Sequence, residues 1–139
     1  MVIIHDLVEA EAGDIPAFDT MNSYELQLQK QINEQEAISN IKRTLKGSLG
    51  EELYDLWMEF EAKETYEAKV ANALDKLEVK IQHNEADIDT WLPIEHKMTF
   101  QVAKHTNFDS FLSKLQKIIE QDGEKKLLAA GIDVEACKQ

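Results

Sequence analysis

Glycine and proline are scarce in this chain, five and two among 139 residues. That scarcity argues against a turn-rich β-sandwich and for helices. Cysteine is scarcer still. Cys137 stands alone, so no disulfide framework exists and a cytoplasmic setting is expected. The length is enough for one domain, residues 1–139, with a real core and no structural zinc. No apolar run approaches the roughly 20 residues of a membrane span. The apolar start is also too short for a secretory signal.

Positive charge is in short supply too. Fifteen Lys and Arg stand against 27 Asp and Glu, a net charge of -12. Such a surface repels a phosphate backbone, so nucleic acid is not an expected partner. A small phosphorylated ligand, neutralised locally by a metal or a few basic groups, remains compatible. The common catalytic signatures are missing: no Gly-rich phosphate loop, no His-Glu-x-x-His, no Cys-x-x-Cys and no Gly-x-Ser-x-Gly. His83, His96 and His105 have no close acidic or thiol companion at ligand spacing and read as surface or interface residues.

What is present is helical periodicity. Residues 2–11 read as a helix ending at Gly13, followed by a loop through Pro16. Residues 23–46 form a long polar helix with a thin stripe of Leu28, Ile32, Ile38, Ile41 and Leu45. Ser48-Leu-Gly-Glu51 has the spacing of a capping box. Behind it Leu53, Leu56, Trp57 and Phe60 recur at i, i+3, i+4 and i+7, the spacing of core packing rather than ligand stacking. Thr65 can cap a helix that carries Val70, Leu74, Leu77 and Ile81, with Asp75 at the edge of that stripe. Trp91 anchors a loop over 84–93, and residues 94–105 form another helix. The strongest stripe is Phe111, Leu112, Leu115, Ile118 and Ile119, on a helix that Gly123 is expected to stop. A short turn over 127–130 then leads to a frayed tail. No alternating strand or internal repeat appears, and the fold class is all-α.

The chemistry concentrates at the start. Met-Val-Ile-Ile-His5-Asp6-Leu-Val-Glu9 places an imidazole and a carboxylate side by side at the end of an apolar run. With about 3.6 residues per turn, His5 and Glu9 share a helix face. An adjacent imidazole and carboxylate can hold one divalent ion, and Glu9 can work on a water bound there. Val2, Ile3, Ile4, Leu7 and Val8 are expected to seat the pair against a core, where unpaired charge is costly.

His5-Asp6-Leu-Val-Glu9-x-x-x-Gly13-Asp14 is followed some way on by Leu56-Trp57-x-Glu59-Phe60-Glu61-x-x-x-Thr65-x-Glu67-Ala68-Lys69 and then Ala73-Leu74-Asp75-Lys76-Leu77-Glu78. Together these blocks resemble the HD-domain metal-dependent phosphohydrolases, and more narrowly the bacterial 5′-deoxynucleotidases and their relatives. The resemblance covers residues 2–95 and leaves 96–139 as C-terminal helices. It implies a helical bundle with one divalent metal: manganese, cobalt, iron, zinc or magnesium. His5, Asp6 and Asp75 match metal ligands, and Glu9 and Asp14 match the catalytic acidic residues. The implied substrate is a small phosphomonoester such as a 5′-(deoxy)nucleoside monophosphate.

The family's first histidine lies on a helix well before the His-Asp pair, and only four residues precede His5 here. The chain therefore reads as an N-terminally truncated HD domain, much weaker in turnover than a protein that supplies the missing histidine, or inactive. Its bared apolar residues 2–8 are expected to drive a homodimer or higher oligomer. The competing reading is a catalytically incomplete HD-like module that serves only in association.

Overall fold

A computed structural model describes residues 1–13, 15 and 23–139. Among them the regular structure is entirely helical, as the periodicity requires. The chain forms two compact units, residues 1–68 and 69–139.

In the first unit a 3-10 turn, His5–Val8, runs into a short helix α1, Glu9–Ala12. The single helix expected over 2–11 is thus a turn over 2–4, a 3-10 turn and one α-turn. Gly13, at φ 78°, takes the chain out of helix. Helix α2, Tyr24–Leu45, begins where Ser23 accepts the Leu26 N–H at 3.3 Å. Helix α3, Gly47–Ala62, packs against it.

The capping box at Ser48 does not form. Ser48 lies inside α3, whose N-cap is Lys46 with no side-chain cap. Glu51 is drawn instead to Lys42, 2.5 Å away, and that bond holds the Lys42 ammonium above its ordinary range. The unit's core is Val8, Ala37, Ile38 and Trp57, with Ile41 and Tyr54 packed on it. Of the stripe expected on α2 only Ile38 is fully buried, while Leu28, Ile32 and Leu45 are more than two-fifths exposed. Trp57 and Phe60 are core, as their spacing implies.

Helix α4, Tyr66–Glu85, starts with Thr65 accepting the Ala68 N–H at 3.1 Å. Its buried face is turned from the expected one. Ala73, Leu77 and Lys80 are inside, whereas Leu74 and Ile81 are exposed. The second unit then adds a 3-10 turn Ile88–Thr90 and α5, Pro93–Met98. Two further helices follow, α6, Ala103–Thr106, and α7, Ser110–Ala129. The helix expected over 94–105 is broken at 99–102. There Thr99, buried, turns its hydroxyl back onto the Glu95 carbonyl at 3.1 Å, a bond that competes with continuing the helix.

Gly123 does not stop α7. It lies buried inside the helix, where a Cβ would meet Thr99 Cγ2 at 2.8 Å and Asn84 Oδ1 at 3.0 Å. The glycine is there for close approach. Nor is the tail frayed. Asp133 caps a last helix α8, Val134–Cys137, and Leu127 and Val134 pack with Trp91 in a small core. The other core cluster of this unit joins Ala73, Leu77, Val102, Leu112 and Ile119. Phe111 and Ile118, counted in the stripe, are exposed.

Candidate functional site

His5 is fixed from two sides. Its Nδ1 lies 2.7 Å from the Val2 carbonyl oxygen, which can only accept, so Nδ1 carries the proton and donates. Its ring stacks at a tilt on Phe60 of α3, with centroids 4.6 Å apart. The proton on Nδ1 leaves Nε2 as the ligating nitrogen of the neutral ring, and Nε2 sits 3.1 Å from Asp6 Oδ1. Two electron-rich atoms facing each other at that distance require a proton or a cation between them. His5 is mostly covered at 13% side-chain exposure, while Asp6 stands 64% exposed.

Of the apolar residues expected to seat the pair against a core, most stay outside it, in keeping with the apolar surface expected over 2–8. Val8 alone is fully buried, and Ile3 is almost wholly exposed. A 3-10 turn eclipses side chains three apart, so Ile3, Ile4, Leu7 and Val8, whose spacing shares one face of an α-helix, do not share one here.

Glu9 opens α1. Its Oε1 lies 3.8 Å from Lys30 Nζ on α2, and the same ammonium lies 3.5 Å from Glu34 Oε1. Burial pushes the Glu34 carboxyl above its usual range, Lys30 opposes that rise, and the nearby Glu61 reinforces it. Sequence reasoning passed over Lys30 and Glu34. Inside a polar helix, their i, i+4 spacing is that of an ordinary solvated pair.

Asp75 belongs to the second unit. It is 20% exposed and paired at 2.8 Å with Lys76 Nζ, the lysine beside it on α4. Asp14 lies outside the described residues. The structure therefore brings His5 and Asp6 together and ties Glu9 to α2. Among the described residues no group of three or more His, Cys, Asp or Glu is arranged to hold a metal ion. The donors in the His5–Asp6 pair, imidazole nitrogen and carboxylate oxygen, nevertheless suit the first-row divalent ions and magnesium.

The reading of His83 as lacking an acidic companion is also corrected. Its Nε2 lies 3.4 Å from Glu95 Oε1, twelve positions on and one helix away. Burial, and then the neighbouring Lys80, lower the His83 pKa, while Glu95 raises it. His105 contacts Asn72 Nδ2 at 3.2 Å, and His96 lies 6.2 Å from the Trp91 ring.

Comparison with known proteins places these features in a family. The HD domain model matches residues 1–117, beyond the span the motifs suggested. The chain belongs to the HD-domain family. Similar proteins include the 5′-deoxynucleotidase HDDC2 of Dictyostelium discoideum, 32% identical over 114 residues, covering 82% of this chain and 55% of that protein. The Homo sapiens protein of the same name is 34% identical over 97 residues, covering 70% of this chain and 43% of that protein. That of Danio rerio is 36% identical over 85 residues, covering 61% and 40%. The chain thus spans about half the length of these relatives, or less. No solved structure matches it. Among the described residues no helix is long and apolar enough to cross a membrane.

Proposed function

We propose that the chain is a metal-dependent phosphohydrolase domain that cleaves a small phosphomonoester, a 5′-deoxynucleoside monophosphate by analogy with the named relatives. The observation that carries the reading is the His5–Asp6 pair in an HD-domain chain, with Nε2 and Oδ1 converging at 3.1 Å while Nδ1 is held by a backbone carbonyl. His5, Asp6 and Asp75 would hold one divalent ion. When bound, that ion supplies Lewis-acid polarisation of the phosphoryl oxygens and acidifies water at the site. Glu9 is the proton-handling group, orienting the attacking water or returning a proton to the leaving oxygen, and Asp14 shares that role. The acidic surface, at a net charge of -12, favours a small substrate over a polyanion. The protein would work as a homodimer or larger assembly in the cytoplasm.

The test is phosphate release from a panel of 5′-deoxynucleoside monophosphates, with and without manganese, cobalt, zinc or magnesium. The expected result is release only with added metal. Glu9→Gln should lower turnover about 100- to 10,000-fold, the range for losing a general acid–base group. Turnover in chelator equal to that with metal would overturn the metal dependence. Unchanged turnover in Glu9→Gln would overturn the role of Glu9.

A further inference from the structure

We propose that Lys30 is a positioning residue for Glu9: its ammonium, braced by the half-buried Glu34, holds the Glu9 carboxylate one helical turn beyond the His5–Asp6 pair. This rests on the phosphohydrolase reading above and names a residue that reading does not use.

Glu9 begins a helical segment of four residues that follows a 3-10 turn. A helix that short has little intrinsic stability and cannot by itself hold a side chain in one orientation. Helix α2 is different. It has 22 residues, packs against α1, and contributes Ala37 and Ile38 to the core of the first unit. Lys30 and Glu34 stand one turn apart on it, and Lys30 Nζ lies between Glu34 Oε1 at 3.5 Å and Glu9 Oε1 at 3.8 Å.

Lys30 is the cation that neighbours both carboxylates. Glu34 is 13% exposed at its side chain, and Glu61 and Glu9 both act on it repulsively, with Lys30 the cation that opposes them. Glu34 and Glu61 also line one cavity of about 220 Å³ beside Trp57. The ammonium gives the Glu9 carboxylate a charged partner on a rigid helix, and the ion pair is partly shielded from water at both ends, with Lys30 and Glu9 each a little over one-quarter exposed. Proton transfer depends on such placement, because a displacement of about 1 Å costs on the order of 100-fold in rate.

The experiment compares the wild-type chain with Lys30→Met and Lys30→Arg in steady-state hydrolysis of a 5′-deoxynucleoside monophosphate, alongside manganese affinity by calorimetry. Lys30→Met should lower kcat about 10- to 100-fold, leaving KM and manganese affinity near wild type. Lys30→Arg, which keeps the charge and reach, should recover most of that loss. A second readout needs no turnover. Thermal unfolding of Lys30→Met, Glu9→Gln and the double variant should be non-additive, the double losing less Tm than the two singles together. Wild-type kcat in Lys30→Met, or additive Tm losses, would overturn the positioning role while leaving the phosphohydrolase reading intact. A fall in manganese affinity matching the fall in kcat would recast Lys30 as support for the metal pair and equally overturn the proposal. If the wild type gives no metal-dependent release, it is the phosphohydrolase reading that fails. Non-additive Tm losses would then mark a structural ion pair, and the positioning role would fall with that reading.

Discussion

Lys80 lies inside the second unit with 7% of its surface exposed, and its Nζ finds no hydrogen-bond partner among the described residues. Burial lowers its pKa from the ordinary lysine value of 10.5, and Glu95 only partly opposes that. The sign of the consequence follows. Below the lowered pKa, folded and unfolded chains are both protonated, and the fold bears the cost of a buried ammonium. Between the lowered pKa and 10.5 the unfolded chain binds more protons, so stability rises with pH. Lys80→Met should therefore be more stable than wild type near neutral pH, with the gap in Tm closing as pH rises toward 10. A gap constant across that range, measured by thermal unfolding, would contradict the assignment. Lys80 also shows why a helix face read from sequence can be misplaced. The apolar count on α4 favoured Leu74 and Ile81, but small Ala73 and long Lys80 both lie on the buried side, and neither type signals burial in a periodicity count. The His5–Asp6 pair, by contrast, was legible because it is local: the two side chains are neighbours whatever the fold.

At the scale of elements, two of the side-chain caps fall where a helix start was expected. Ser23 and Thr65 each accept a backbone N–H of the following first turn, whereas Asp133 caps a helix where a frayed tail was expected. The failures came from tertiary competition. Ser48 and Glu51 had the spacing of a box, yet Glu51 found Lys42 on the neighbouring helix. Gly123 looked like a terminator because a glycine's lack of Cβ can serve either a turn or a close approach, and only packing tells which. Gly50 makes the same point between α2 and α3. A Cβ there would come within 2.5 Å of the Lys42 carbonyl oxygen, a backbone atom that cannot swing aside. Gly50→Ala should therefore destabilise the protein despite the higher helix propensity of alanine, by about 1–3 kcal/mol as for other overpacked sites. Chemical denaturation showing equal or greater stability would mean that the two helices separate easily.

At the scale of the whole molecule, the all-α class and the HD-domain family were both readable from the sequence, the first from periodicity and the second from motif blocks. Asp75 entered only through the motif blocks, since no local pattern ties a residue about 70 positions away to His5. The exposed Val2, Ile3 and Leu7 motivate a further expectation, that chains associate through the N-terminal segment. Light scattering at tens of micromolar should give at least a dimer, and Ile3→Glu should shift it toward monomer; a wild-type monomer would contradict this. The central proposal is that His5, Asp6 and Asp75 would hold one divalent ion. Its most direct test is the stoichiometry of manganese or cobalt bound by the purified 139-residue chain. One ion per chain is expected, with binding abolished in His5→Ala and weakened in Asp75→Asn. No bound metal, or binding untouched by both substitutions, would contradict the claim.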